Sequence, residues 1–402
     1  VAMTEASIAI AASGREWALG LHRFVADHGG ARVRVRVMHP EQALDEAYDV
    51  LVIDDITSFL SAHLVQQVQK RDRKVLGIYD EPAGEQRLRK LGVNAVMSAD
   101  AEPEAFVATI VNLAAQRNVD EEFAELIADL HEGEPEADAP TTARFVAVAG
   151  AGGGVGATEV AITLAADLRR RGTRVCLVDA DDVAPAIAQR LDLPLHPNIR
   201  TAMDHLHHGS GSVSHALHRQ YSGFTVLPGL PNVRDWGEIR SGDAIDVITE
   251  LSAVNDVVLV NISSLVEQTQ GDARGEGRFG VARLVLGAAD AVVLVAGPTP
   301  MAVGRVIEWL ADTQRLISAK PLHVVVNRFD DGLFARGEIE QEIEDVIRPT
   351  SLTFTPSDPN LAKAAWEGTL APWSGFSRAI ESVTDHLTPA RAPRTRRLRM
   401  GR

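Results

Sequence analysis

A run of apolar residues, Phe145-Val-Ala-Val-Ala149, opens directly onto Gly150-Ala-Gly-Gly-Gly-Val-Gly-Ala-Thr158, and a helical pattern follows from Glu159 to Arg170. A buried strand that turns through glycines into a helix start leaves few choices of fold. In that geometry backbone N–H groups converge on one point, and the helix dipole favours an anion there. Gly153, Gly154 and Gly156 supply the unusual backbone angles and the close approach that a phosphate needs. Thr158 stands where a phosphate-binding loop places its Mg²⁺-binding hydroxyl. Two other readings of the stretch are a purely structural glycine turn and a dinucleotide-type loop.

The surroundings of the loop alternate between short apolar runs and helical runs. Before it, strands are expected at Ser7–Ala12, Val33–Met38, Val50–Asp54, Val75–Tyr79 and Ala95–Ser98. Helical stretches separate them, the last at Glu104–Ala115. Five β-α units of this length predict a small doubly wound parallel sheet, with helices on both faces. Residues 120–138 then hold nine acidic side chains and no Lys or Arg, which predicts an acidic helix end and a solvated linker over 119–142. From Arg144 a larger series begins, with strands expected at Phe145–Ala149, Arg174–Val178, Thr225–Leu227, Asp256–Asn261, Ala291–Ala296 and Leu322–Val326. Helices are expected at Glu159–Arg170 and Ala302–Leu316. The fold class is therefore α/β, with a doubly wound domain at 1–118 and a larger, mostly parallel one at 143–388. An Arg-rich tail fills 389–402.

The stretch Gly152-Gly153-Gly154-Val155-Gly156-Ala157-Thr158 resembles the deviant Walker A loop of the ParA/MinD family, which reads Lys-Gly-Gly-x-Gly-Lys-Ser/Thr. The glycines and Thr158 are kept and both lysines are gone. Gly152 replaces the lysine that in the family reaches a partner's nucleotide. Ala157 replaces the lysine that holds the β- and γ-phosphates. No lysine lies between Lys90 and Lys320, and no arginine falls inside the loop, so the local sequence offers no substitute cation. A desolvated cation beside a transferring phosphoryl group contributes roughly 3 kcal/mol, and phosphoryl transfer depends on such charge.

Other strand ends carry the likeness further. Asp179 and Asp181, in Cys176-Leu-Val-Asp-Ala-Asp181, resemble the family's Asp-x-Asp switch, in which the second Asp positions the attacking water. With Thr158 they form a weak Mg²⁺ set. Asn261 stands where the family ends its Walker B strand with Asp, and an Asn has no charge for a metal-bound water. Asn327 stands where the family reads the adenine edge, with Arg328 beside it, and Pro356 falls in the segment that passes the base. The resemblance spans about 145–375. It implies that residues 152–159, Asn327, Arg328 and Pro356 bind ATP or ADP, with or without Mg²⁺. It also implies a homodimer and slow hydrolysis, with Asp181 a remnant of the catalytic apparatus.

Residues 1–116 resemble a response-regulator receiver in their five-fold order. The acid pair expected after strand one is missing from Ala11-Ala12-Ser13, and Ser98-Ala99 replaces the lysine after strand five. Asp54 keeps the acceptor position without a metal site, so a protein-docking pseudo-receiver is expected. This pairing resembles the CpaE/TadZ group, which localises Flp (type IVc) pilus assembly, and related septum-site-determining proteins. The resemblance implies a cytoplasmic scaffold at a pole or septum, peripheral to the inner membrane, with pilus-secretion or cell-division partners. An active partitioning-type ATPase and a regulator that binds no nucleotide are the alternatives.

Charge and composition restrict the remaining choices. The formal net charge is -15, so any contact with DNA or anionic lipid must be local. The tail after Pro389, with six arginines and no acid, is the candidate for such a weak contact. No apolar run approaches roughly 18 residues, which argues against a membrane-spanning helix. The first residues do not read as a secretory signal. Cys176 is the sole cysteine, so no disulfide forms within the chain. Five of the thirteen histidines fall within 203–218 but lack metal-ligand spacing, and a solvated helix-loop-helix is expected there. Met301, Trp309 and Leu310 are expected in a core or a dimer surface.

Overall fold

The computed structural model describes residues 5–128, 144–208, 211–268 and 277–388. The front half forms a five-stranded parallel sheet in the order β2-β1-β3-β4-β5. Its strands are β1 (Ala6–Ala11), β2 (Ala31–Val37), β3 (Val50–Asp54), β4 (Lys74–Tyr79) and β5 (Ala95–Ser98). They alternate with α1 (Glu16–His28), α2 (Pro40–Asp45), α3 (Ala62–Gln69), α4 (Pro82–Lys90) and α5 (Pro103–Ala128). Helix α5 thus runs through the first part of the acidic stretch. The rest of the expected linker, 129–143, and the Arg-rich tail lie outside the described residues.

The second sheet has eight strands in the order β13-β12-β11-β6-β10-β7-β9-β8. Its first half contains β6 (Arg144–Gly150), α6 (Ala157–Arg170), β7 (Val175–Asp179), α7 (Ile187–Arg190) and α8 (Ile199–His208). There follow β8 (His218–Arg219), β9 (Thr225–Leu227), α9 (Ser241–Ser252) and β10 (Val257–Asn261). Its second half contains α10 (Gly280–Ala288), β11 (Ala291–Ala296), α11 (Pro300–Ile317), β12 (Leu322–Phe329), α12 (Arg336–Glu344), β13 (Ser351–Pro356), α13 (Pro359–Glu367) and α14 (Gly375–Leu387). Period-two alternation sorts the central strands. Val146, Val148 and Leu259 pack with α6 and α14 on one face. Ala147, Ala149, Val258 and Val260 pack with α9, α10 and α11 on the other.

Two edge strands were not expected from the sequence. Two-residue β8 pairs antiparallel with β9. At the opposite edge, β13 pairs with β12. Its Ser351-Leu-Thr-Phe-Thr-Pro356 pattern buries only some positions, because an edge strand lacks the two-sided burial that makes apolar runs conspicuous. Helix α11 starts earlier than its apolar pattern. Pro300 occupies its first turn, and the Thr299 side chain accepts the Ala302 N–H. Trp309 and Leu310 are core residues, whereas Met301 is 76% exposed.

The histidine-rich stretch is α8 followed by a 3₁₀ turn at Val213–Ala216. His205 meets His215 edge-on, His207 Nε2 lies 2.8 Å from Asp243, and His218 Nε2 lies 2.9 Å from the Pro197 carbonyl. The His208 side chain is not among those described.

The two sheets are joined by direct contacts centred on α9. Gly242 N donates to Ser58 O at 2.9 Å, and Ala62 N donates to the Asp246 carboxylate at 3.0 Å. Arg87 Nη2 lies 2.8 Å from Asp243, with both side chains largely buried. Arg283 of α10 meets Glu41 of the front half at 3.2 Å. The β3–α3 loop therefore forms part of the seam.

Asp54 lies at the start of that loop and is fully buried. One carboxylate oxygen accepts from Ser13 Oγ at 2.7 Å and Trp17 Nε1 at 2.9 Å. The other accepts from Arg15 Nη1 at 2.6 Å and Ile56 N at 3.1 Å. Arg15 also contacts Asp55 at 2.5 Å. A guanidinium therefore stands against both Asp54 and Asp55.

Candidate functional site: a glycine loop at the sheet edge

The loop after β6 leaves the centre of the large sheet and turns into α6 through two left-handed glycines, Gly154 (φ 75°) and Gly156 (φ 99°). Gly156 is the N-cap of α6, and no side chain caps this helix. The first-turn N–H groups therefore keep the unmet donor capacity that suits an anion. Asn327, at the end of β12, reaches across to the loop. Its Nδ2 donates to the Val155 carbonyl at 2.8 Å. Its Oδ1 accepts from Thr355 Oγ1 at 2.8 Å and from the Arg328 N–H at 2.9 Å. A Cβ on residue 156 would stand 2.4 Å from that Nδ2, so glycine is what lets the amide brace the loop.

Arg328 adopts φ 59° at a bulge between β12 and β13, and its side chain is exposed. Pro356 ends β13 on the same sheet edge. Glu159, in the first turn of α6, pairs with Arg190 through two contacts at 2.5 and 3.1 Å. Arg190 continues to the carbonyls of Ala364 and Thr369. The Glu159 side chain thus ties α6 to α13, whereas its backbone remains in the loop's helix start.

Ala157 packs against the apolar cluster beneath α6. At Gly152 the tertiary structure brings in a basic side chain from another element. Arg305, from α11, lies over this glycine, and a Cβ there would stand 3.0 Å from Arg305 Nη1 and 3.1 Å from Cδ. The expectation concerned lysines of the surrounding region and arginines within the loop, and Arg305 is neither. No short-range pattern links Arg305 to the loop. The nearest hint is the Pro298-Thr-Pro300 turn, which sends α11 back past the glycines.

The acids after β7 are engaged. Asp179 is buried, and one oxygen accepts the N–H groups of Ala186 and Ile187, both at 2.9 Å. The other oxygen accepts from Asn261 Nδ2 at 3.1 Å. Burial pushes the Asp179 pKa up to about 6 despite these bonds. Asp181 Oδ1 accepts from Val183 N and Ala184 N, at 2.9 and 2.8 Å, and so shapes its own turn. The neighbouring Asp182, which sequence reasoning passed over, is also buried. Burial raises its pKa to about 6, against the lowering pull of Arg278.

Asn261 Oδ1 is buried and has no hydrogen-bond partner. The Thr158 hydroxyl makes no hydrogen bond to a described residue. These two neutral oxygens fit a Mg²⁺ that arrives with phosphate and keeps several waters. They do not fit a cage in which protein carboxylates hold the ion alone. Thr158 and Asn261 are therefore the residues that would meet such a metal. Asp179 shapes the loop from 180 to 186, whereas Asp181 does so through Oδ1 alone and its Oδ2 makes no hydrogen bond to a described residue.

The buried Asp179 charge makes a pH prediction. Its native pKa of about 6 exceeds the ordinary carboxylate value, so the folded state holds an extra proton between about 4 and 6. Stability from this group is present below the unfolded value and is lost as pH rises through the native one. Asp179→Asn removes the titration. Relative to the wild type, the variant should gain roughly 3 kcal/mol between pH 4 and pH 7.5, an upper bound from about two pKa units. Denaturant unfolding at both pH values measures the gap, and a pH-independent gap would refute the assignment.

Comparison with known proteins agrees with this geometry. Residues 146–371 match the family described as the CobQ/CobB/MinD/ParA nucleotide binding domain. The chain is 21% identical over 250 residues to an uncharacterized ATP-binding protein of Methanocaldococcus jannaschii, across 61% of this chain and 88% of the relative. It is 25% identical over 160 residues to the flagellum site-determining protein YlxH of Helicobacter pylori, across 40% of this chain and 50% of the relative. In fold it resembles a ParA family ATPase from Chlorobium tepidum, with a TM-score of 0.52 and 19% identity, across 62% of this chain and all of that one. With more than half of its length inside the family match, and the glycine loop at the sheet edge within that match, the chain belongs to the CobQ/CobB/MinD/ParA nucleotide-binding family.

Proposed function

We propose that the chain is a localisation scaffold of the ParA/MinD type that binds ATP or ADP and hydrolyses ATP slowly. The observation that carries this reading is the contrast at one sheet edge. The glycine loop retains uncapped N–H groups and an unengaged Thr158 hydroxyl. The acids that would order water or metal are bonded to backbone, and Asn261 replaces the Walker B acid. Binding needs the first set of groups, and phosphoryl transfer needs the second as well.

A positioning role is supported by the printed function of the flagellum site-determining relative. The machinery positioned is, on the residues that resemble the CpaE/TadZ group, a type IVc pilus apparatus or a septum. The front domain acts as a pseudo-receiver that docks partner proteins. Self-association is supported by Trp366 on α13, 94% exposed, and by Met301 on α11, since large apolar side chains at the surface favour protein contacts. The scaffold is cytoplasmic and peripheral to the membrane on this reading. Among the described residues no helix is long and apolar enough to cross a membrane.

Equilibrium binding of labelled ATP, with and without Mg²⁺, should show saturable binding that weakens in Thr158→Ala when Mg²⁺ is present. Steady-state phosphate release should stay below about one turnover per minute, a rate consistent with missing electrostatic stabilisers. Faster release that disappears in Thr158→Ala would overturn slow hydrolysis in favour of a partitioning-type ATPase. That second reading draws on one observation, the arginine above Gly152. Absence of ATP binding would instead favour a nucleotide-free regulator.

A further inference from the structure

We infer that Arg305 is the phosphate-binding cation of the glycine loop, delivered from α11. This inference rests on the nucleotide-binding reading and names the residue that gives the site its preference for a polyphosphate. Three observations meet here. First, the guanidinium lies against Gly152 at a distance that any side chain on residue 152 would contest, 3.0 Å to Nη1 and 3.1 Å to Cδ. The missing side chain and the arginine therefore occupy one volume between them, and a lysine at 152 would require Arg305 to move.

Second, Arg305 is exposed and makes no hydrogen bond or ion pair with a described residue. Most arginines near the core are engaged, as Arg190 is with Glu159 and Arg171 with Asp167. With no anion paired to it among the described residues, this guanidinium presents its donors to a ligand, and its fork geometry suits phosphate oxygens.

Third, Arg305 lines a cavity of about 520 Å³ that opens beside Gly152 and Gly153. Glu267, Glu308 and Asp312 line the same cavity, yet none of them pairs with the arginine. Glu308 and Asp312 share α11 with Arg305, so the cavity wall is mixed in charge. Arg305 is the basic side chain among the lining residues, and it lies on the glycine side. Among the described residues the positive charge that lines the cavity is thus set against the glycine loop.

The test is a swap. Binding of a fluorescent ATP analogue, ADP and AMP is measured for the wild type, Arg305→Ala, Arg305→Lys and the double variant Gly152→Lys/Arg305→Ala. Arg305→Ala should weaken ATP analogue binding about tenfold or more and AMP binding by less than about threefold, a difference that reports a polyphosphate contact. Arg305→Lys should retain part of the affinity. The double variant should recover much of the loss, because lysine enters the space that arginine leaves. Thermal melting should hardly change in Arg305→Ala, since the side chain is unengaged. Equal ATP affinity in the wild type and Arg305→Ala would overturn the inference and leave nucleotide binding intact. A wild type that binds no nucleotide would overturn the underlying reading and this inference with it.

Discussion

Gly156→Ala should abolish nucleotide binding and lower stability, although it adds a single methyl group. The residue holds φ 99°, where a non-glycine side chain costs about 1–2 kcal/mol. The new Cβ would also stand 2.4 Å from Asn327 Nδ2 and drive the amide off the Val155 carbonyl. A buried amide that loses its partner costs about 1–3 kcal/mol more. The loop itself must then move, and the N–H groups cease to converge. A binding loss on the order of 100-fold is expected, together with a melting temperature several degrees lower. Gly153→Ala is the control. Its added Cβ meets nothing within 4 Å, and its backbone is not left-handed. Its melting temperature should stay near the wild-type value. Equal melting temperatures of the two variants in calorimetry would show that the brace from Asn327 does not matter.

Asp243→Ala should produce a comparable loss at the seam between the halves. The Asp243 carboxylate lies 2.8 Å from both Arg87 and His207 and is almost fully buried. Burial alone would raise its pKa, but the His207 hydrogen bond and the Arg87 charge overcome that and hold it below the ordinary value. Removing the acid strands a guanidinium in a site with little access to water. Breaking a buried pair in this way costs about 3–5 kcal/mol. Denaturant unfolding should show an earlier transition for the front half, with the two halves no longer melting together. The double variant Arg87→Leu/Asp243→Leu should recover part of the loss, because it leaves no stranded charge. Unchanged unfolding in Asp243→Ala would show that the Arg87 pair does not hold the seam.

These residues differ in how far the sequence exposed them. Asp179 was legible as an acid at the carboxyl end of a strand, where a parallel sheet puts its ligand site, whereas Asn261 and Asn327 were legible through the resemblance to the ParA/MinD family. The glycine loop was legible for the same local reason. Helix α6 began two residues before the sequence estimate, and β8 and β13 were missed at the sheet edges. What stayed hidden was pairing over long separations. Nothing near Gly152 announces Arg305, nothing near Glu159 announces Arg190, and nothing in the front half announces Asp243. The expected adenine contact of Asn327 meets a further fact in the fold, since its amide already braces the loop.

A chain of contacts runs from Asp54 and Asp55 of the front half to the seam. Here Arg15 brings a permanent positive charge to Asp54 and Asp55, and the backbone carbonyl of Asp55 accepts from Arg87, the residue that meets Asp243. The charges around this acid pair are thus coupled to the contact that joins the two sheets.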